Sequence, residues 1–440
     1  FYGFPSKKKL LALYSQTLNL QQSAISTDIH RLETITPKFS LAIIGEENGR
    51  VIRTLRSLSN QAENIDYVFT SVESNSQTKE FSDLNFKKVS GLGDVSIQQT
   101  NSPLLLLNAG DELHGQALAY LSKRTVEGLL FVDTDQKLSG SLCENARLLP
   151  DWNPDYQLSN AYIRSGVLLS AKLRESLEQT SAKTIAGLVT QLWLRDRELT
   201  VEHVPLSLVH HKENKQAKLT ELQEIAGLIE SEKASANTVE GEQINIVQWP
   251  VTNQPLVSLI IPTKNARQLV KECIDSILNK STYQNYEILL VDNNSDEPES
   301  LAYFEELSQH EKIRVLKYPH PFNYSAINNF AAQQAKGEVI GLINNDIEVI
   351  TPDWLEYMVG HALRVDIGCV GAKLMYGDDR IQHAGVVLGY GGGAGHAHKY
   401  FPRYHPGYMN RLIASHNYSA VTAACLLVKK SLFDAVGGLN

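Results

Sequence analysis

The sequence predicts an α/β protein of two domains, each a mostly parallel sheet flanked by helices. Short apolar, β-branched runs alternate with stretches of helical periodicity, the pattern of parallel strands joined by crossover helices. Polar residues gather at the ends of those runs, not within them. In "GLINNDIEVITPDW" (341–354) a buried strand closes on Asn344, Asn345 and Asp346. The chain also repeats itself. "FSLAIIGEENGRVIRTLRSL" (39–58) aligns with "VSLIIPTKNARQLVKECIDSIL" (257–278), "SPLLLLNAGDELHGQAL" (102–118) answers "GEVIGLINNDIEVITPDWL", and "SGVLLSAKLRESL" (165–177) answers "AACLLVKKSLFDAV" (423–436). The same order in both halves reads as a duplicated domain.

Residues 1–38 read as an N-terminal helical extension and 39–212 as the first domain. Residues 213–254 are polar and helix-prone, a helical linker running into a flexible segment. Residues 255–440 form the second domain. "VSLIIPT" is a buried strand stopped by Pro262 and Thr263, and "LVKECIDSIL" carries apolar residues at helical spacing. "YEILLVDNNSD" is a second strand, ending on Asp292, Asn293 and Asn294, and "KIRVLKY" a third. "SAINNFAAQQAKG" is a helix closed by Gly337 as its C-cap, before the fourth strand, "EVIGLINND".

Bulk properties narrow the function. The 440 residues are 42% hydrophobic and 20% charged, with a net charge of −8, so there is no basic footprint for nucleic acid. Cys143, Cys273, Cys369 and Cys425 stand far apart, which suits free buried thiols in a reducing compartment. No apolar run approaches the roughly 20 residues of a membrane span, and no signal peptide is visible. The chain starts at Phe1 and reads as a fragment, with the cytoplasm as the expected compartment.

Two readings of Asn344–Asp346 compete. Asn and Asp favour turns and helix N-caps. Alternatively, the carboxyl end of a parallel strand is where open α/β sheets bind ligands, and a carboxylate there suits a metal-assisted anion site.

The second domain resembles family 2 glycosyltransferases of the GT-A fold, and more closely the tandem-domain bacterial O-antigen or rhamnan-type polysaccharide glycosyltransferases. The stretches that carry this are "VSLIIPTKN", "YEILLVDNNSD", "YPHPFNYSAINNFAAQQAKGEVIGLINNDIEVITPDWL", "GAKLMYGDDRIQHAGVVLG", "GHAHKY" and "NYSAVTAACLLVKKSLFDAVGGLN", in order over most of 255–440. The first domain resembles the same fold weakly over 39–212. The resemblance thus implies two GT-A-like (nucleotide-diphospho-sugar transferase) domains, the first degenerate.

It also implies roles. Asp346 would hold Mg²⁺ or Mn²⁺, hard cations that need few protein oxygens beside phosphate and water. Asn344 stands where the family has a first Asp, and Asn345 beside it. Pro262, Thr263, Asn265, Asp292, Asn294, Asn328 and Asn329 would line the donor, a nucleotide-diphosphate sugar of UDP or dTDP type. The acceptor would be a bacterial surface polysaccharide or a lipid-linked glycan, attacked with inversion, with peripheral membrane association or assembly with other polysaccharide-synthesis enzymes. The family's general base follows "GGLN", so it is expected beyond Asn440. Gly389, Gly391 and Ala394 match a dinucleotide-binding pattern without the acidic residue that should follow it. A Gly-rich acceptor-side loop fits better, with His383, His396 and His398 as acceptor or phosphate contacts.

In the first domain Asn108, Ala109 and Gly110 occupy the metal position, followed by Asp111 and Glu112. It reads as non-catalytic, with an active site using Asp111, or Asp133 and Asp135, as the rival. For the whole chain, the alternative to a transferase is a scaffold or binding protein of two inactive glycosyltransferase-like domains.

Overall fold

In a computed structural model, which describes residues 6–36, 38–72, 81–95, 101–139, 142–212, 214–389 and 392–440, the predicted strands form two principal sheets, one in each of two units. The first unit comprises Phe1–Ser231, Ala236–Ile246 and Ala414–Asn417, the second Glu232–Ser235, Val247–Ile413 and Tyr418–Asn440.

The first unit begins with α1 (Lys7–Arg31), capped by Ser6, then β1 (Phe39–Ile44), α2 (Asn48–Leu58), β2 (Ile65–Thr70), β3 (Phe86–Lys88), β4 (Leu104–Asn108), β5 (Glu112–Leu113) and α3 (Ala117–Leu121). It continues through β6 (Leu129–Ser139), β7 (Leu142–Arg147), α4 (Pro154–Asn160), β8 (Val167–Leu169), α5 (Ala171–Glu175), α6 (Ile185–Arg195), β9 (Val201–His210) and α7 (Lys215–Ile229). The sheet order is β3-β2-β1-β4-β8-β6-β9-β5, with β7 beside β6. The N-terminal helix is docked by its own chemistry: Tyr14 is buried and donates its hydroxyl to Asp135.

Residues 213–254 begin with a helix, α7, as expected, but a hairpin stands where the flexible segment was expected. Leu222, Ile225 and Ile229 of α7 are fully buried, and the helix packs on α6 and α4. A hairpin of β10 (Ser235–Val239) and β11 (Ile244–Gln248) follows. Buried Asn245 on β11 donates to the carbonyls of Leu158 and Leu222. Polar composition hid this, because the apolar stripe of α7 is narrow and one amide satisfies the buried carbonyls.

The second unit runs β12 (Val257–Thr263), α8 (Arg267–Lys280), β13 (Tyr286–Asp292), α9 (Pro298–Leu307), β14 (Ile313–Lys317), α10 (Tyr324–Gln334), β15 (Val339–Ile343), α11 (Trp354–Ala362) and β16 (Cys369–Gly371). Two hairpins follow, β17 (Leu374–Met375) with β18 (Ile381–His383) and β19 (Val386–Leu388) with β20 (Ala394–His396), before β21 (Cys425–Lys429) and α12 (Lys430–Ala435). The sheet order is β14-β13-β12-β15-β21-β16. The first four strands are parallel and β21 antiparallel, as are β3-β2-β1-β4 and β8 in the first unit.

The continuous apolar runs follow from burial on both faces. Val257, Leu259 and Ile261 face a core with α8, α9 and α11, while Ile260 faces another with α10 and α12. Successive residues of β13 and β15 divide the same way. Each fully buried aliphatic side chain contributes about 1.5–3 kcal/mol relative to exposure.

Gly337 does not act as the expected C-cap. Helix α10 ends at Gln334 with Ala335 extended at its cap. Gly337 instead lies against β12, donating its N–H to Ser258 Oγ, and a Cβ there would stand 2.6 Å from both Leu256 O and Ser258 N. Gly337→Ala should therefore destabilise the second unit by about 1–3 kcal/mol, the usual cost of overpacking. Gly368→Ala, where an added Cβ meets nothing within 4 Å, should be near neutral. Urea unfolding midpoints compare the two, and equal midpoints would remove the steric assignment.

No helix among the described residues is long and apolar enough to cross a membrane.

Candidate functional site

Because β12, β13 and β15 are parallel neighbours, their carboxyl ends share one edge of the sheet. Thr263 pairs in register with Asp292, and Asn345, just past β15, donates its amide to Thr263 Oγ1 at 3.0 Å. Pro262, the penultimate residue of β12, sits opposite Val291. The adjoining Asn344 is held by its backbone, its N–H donating to Ala424 O and its carbonyl accepting from Cys273 Sγ. Asp346 follows, exposed, and its carboxylate makes no hydrogen bond or ion pair among the described residues.

Asp292 is buried, with Oδ2 accepting from Lys317 Nζ at 2.7 Å and Oδ1 from Ser295 N at 2.9 Å. Burial pulls its carboxyl upward, but the Lys317 and Ser295 hydrogen bonds outweigh burial and hold it below its ordinary 3.8. Lys317 was not singled out in the sequence; its register partner is Asp292, a signal available only once β13 and β14 are aligned. Asn293, read in the sequence only as a strand end, donates its buried amide to the carbonyls of Tyr318 and His320, fixing the loop beside the site.

Several predicted donor contacts have other work. Asn265, in the left-handed region at φ 54°, donates to Asp296 and accepts from the N–H groups of Asp296 and Glu297. It builds the rim of the site by joining two loops. Asn294 is exposed, at φ 59°, in the turn after β13. Asn328 and Asn329 likewise have partners inside the protein. Asn328 is fully buried, donating to Tyr324 O within its own helix. Asn329 has its amide engaged on both sides by the backbone of Leu439, so it anchors the segment around Gly438.

The histidines lie on the hairpins. His383 and His396 meet Nδ1 to Nδ1 at 2.9 Å, and Thr422 N donates to His383 Nε2. Burial and His396 push His383 down to about 4, and burial, Arg411 and His405 lower His398. Both shifts favour the neutral imidazole, which can still donate or accept a hydrogen bond on the acceptor side. Thr422–Ala424 connects the parts: Thr422 bonds His383, Ala423 O accepts from Tyr324 Oη, and Ala424 O accepts from Asn344 N. Gly391 lies outside the described residues. Leu388 stands opposite Ala394 in an antiparallel hairpin, and the next described element after Ala394–His396 is not an α-helix packed as in a βαβ unit, so the dinucleotide pattern has no counterpart among the described residues.

The first unit places its carboxylates differently. Asp111 is buried, bonded to His211 Nδ1 at 2.7 Å, Asn108 N at 2.7 Å and Ser165 Oγ. Asp133 accepts from Leu149 N and meets His203 Nε2 at 3.0 Å, while Asp135 meets His210 Nδ1 at 2.5 Å. Glu112 is ion-paired to Arg53 and Lys137. Each of these carboxylates is already partnered, unlike Asp346.

A family model described as Glycosyl transferase family 2 matches residues 258–437. The chain is similar to the uncharacterized protein y4gI of Sinorhizobium fredii, with 39% identity over 332 residues, 71% of this chain and 36% of that protein. It is also similar to the O-antigen biosynthesis protein RfbC of Myxococcus xanthus, with 32% identity over 373 residues, 79% of this chain and 28% of that protein. The chain thus spans about a third of the length of these relatives. A mannosyltransferase from Pyrobaculum calidifontis, solved with GDP-Man and Mn²⁺, aligns at 18% identity and a TM-score of 0.33, over 44% of this chain and 50% of its own. That superposition is too partial to bear on the site.

The Asp292–Lys317 pair has a testable pH signature. A carboxyl lower in the folded than in the unfolded chain stabilises the fold above its unfolded value, about 3.9, and that stabilisation is lost as pH falls through the folded value. Lys317→Met removes the cation, raises the Asp292 carboxyl and should move the acid unfolding midpoint of the second unit to higher pH. The shift should be modest, because the Lys317 side chain is 65% exposed. Circular dichroism across pH 2–5 reads it, and an unmoved midpoint would show that the lysine contributes nothing.

Proposed function

We propose, from the match of residues 258–437 to the model of glycosyl transferase family 2, that the second unit transfers a sugar from a nucleotide-diphosphate donor. The donor is of UDP or dTDP type, the acceptor is a bacterial surface polysaccharide or lipid-linked glycan, and transfer proceeds with inversion. One observation carries the reading. Asp346 is an exposed, unpartnered carboxylate at the carboxyl edge of the sheet, next to Asn344 and Asn345. A carboxylate kept free of protein cations at such an edge is fitted to a cation that arrives with its ligand.

Mg²⁺ or Mn²⁺ suits these donors, since both prefer hard oxygen ligands and retain water and phosphate oxygens in their shells. Asp346 would hold the ion, with the amide oxygen of Asn344 available beside it, and the ion would supply charge stabilisation for the departing diphosphate. The protein's own groups do the positioning. Asn345 orients the Thr263 hydroxyl, and Asn265 fixes the rim. Asp292 stays ionised, and with about four acceptor positions on a carboxylate and only Lys317 and Ser295 bonded, it retains capacity for a ribose or base donor.

The first unit serves, in this reading, as a duplicated domain that has lost catalysis and positions the acceptor or packs. Support comes from the recurring strand order together with the burial of Asp111. The rival, a scaffold of two inactive domains, draws on Asn344 standing in place of a second carboxylate.

Calorimetry with UDP and dTDP, with Mg²⁺ or Mn²⁺ and with chelator, separates the two: a transferase binds in a metal-dependent way and a scaffold does not. Asp346→Ala and Asp346→Asn should both weaken that binding and lower any turnover by about 10²–10³-fold, the scale of losing one electrostatic stabiliser of a transition state. Asn344→Asp should tighten metal binding or leave it unchanged. Asp111→Asn should leave nucleotide binding intact. Metal-dependent binding that is unchanged in both Asp346 variants would sink the assignment.

A further inference from the structure

We propose that the first unit carries a cation site of its own, formed by Asp135, Cys143 and His210, that takes a borderline-soft divalent ion of the zinc class. It stands apart from the donor reading of Asp346 and holds the ion through three protein ligands, with water as the fourth.

Strand register brings the three together. On β6, Asp135 pairs with His210 of β9 on one side, and Lys137, two residues on and so on the same face, pairs with Cys143 of β7 on the other. One face of three adjacent strands thus presents a carboxylate, a thiol and an imidazole whose donor atoms all lie within 4.8 Å of one another. Asp135 and Cys143 are buried, and the His210 side chain is only 13% exposed.

The surrounding layer is what a metal ligand set requires. Tyr14 donates to Asp135 Oδ2 at 2.6 Å and meets Ser207 Oγ at 2.9 Å, leaving Asp135 Oδ1 turned to His210 Nδ1. Cys143 Sγ approaches that same Nδ1 at 3.9 Å. The unit's other Asp–His pairs differ. Asp111 has Asn108 and Ser165 as further donors, and His203 has its second nitrogen on Asp151, with no sulfur beside either pair. Only at His210 do oxygen, nitrogen and sulfur converge among the described residues.

Bond lengths of about 2.3 Å to sulfur and about 2.0–2.1 Å to nitrogen and oxygen set tetrahedral donor separations of roughly 3.3–3.6 Å. The sulfur is already close to this, and the Asp135–His210 pair opens by about 1 Å as the hydrogen between them gives way to the ion. On binding, the thiol proton passes to solvent and the imidazole hydrogen is carried on Nε2. Thiolate, carboxylate and a 2+ ion then sum to zero, which a buried site demands. Without the ion, burial pushes the Cys143 thiol up to about 12, so the sulfur stays protonated.

Cobalt titration of the full chain tests this. One equivalent of Co²⁺ should produce a thiolate-to-cobalt charge-transfer band with the visible bands of a four-coordinate ion, and Zn²⁺ should abolish both. Cys143→Ser should remove the charge-transfer band and His210→Gln should weaken binding at least about tenfold, each in protein shown by circular dichroism to be folded. Cys425→Ser and Asp346→Ala should retain the band, which separates this site from the donor site. Absence of stoichiometric Co²⁺ binding by the unaltered chain, or a charge-transfer band that survives Cys143→Ser, would overturn the proposal.

Discussion

Burial of β12, β13 and β15 on both faces is the constraint from which the second unit follows. With helices on each side, every position of these strands but Pro262 is buried, and a polar side chain there must find a protein partner. Ser258 and Glu287 are the interior exceptions, and they satisfy each other. Ser258 donates to Glu287, which also takes Arg314 and the N–H of Lys336, while Gly337 donates to Ser258. This network closes the amino ends of the strands. Polar groups with capacity left over are confined to the opposite edge, where Thr263, Asp292, Asn345 and Asp346 gather.

The two units share a strand order and differ in electrostatics. A carboxylate under the surface is tolerable only when paired, and in the first unit Asp111, Asp133 and Asp135 each take a histidine. The pairing ties β6, β9 and the segment after β9 together, so the edge becomes a structural seam. In the second unit Asp346 stays in water, where solvent carries the cost of its charge and no protein cation is needed. Desolvation thus divides one architecture into a self-satisfied edge and one open to a ligand.

The same logic distributes the asparagines. Asn265, Asn293 and Asn329 each join segments distant in the chain, because one side-chain amide offers two donors and an acceptor and so can bridge several groups. Asn265 and Asn293 fix the loops beside Asp292, and Asn329 holds the segment at Leu439.

Strand and helix identities were legible in the sequence because periodicity records which face of a single element is buried. The short, β-branched runs at 257–263, 286–292 and 339–343 read as doubly covered strands, and their polar ends pointed to one edge of the sheet. What each polar residue does was not legible. Asn328 and Asn329 are neighbours on one helix, yet one is sealed in the interior and the other holds Leu439. Asp292 acquires Lys317 across strand register, and Asp111 acquires His211 from far along the chain. Gly337 looked like a helix stop and proved to be a close approach to β12. Local composition fixes burial on an element, whereas hydrogen-bond partners are chosen by register and packing between elements, and only the folded chain brings those together.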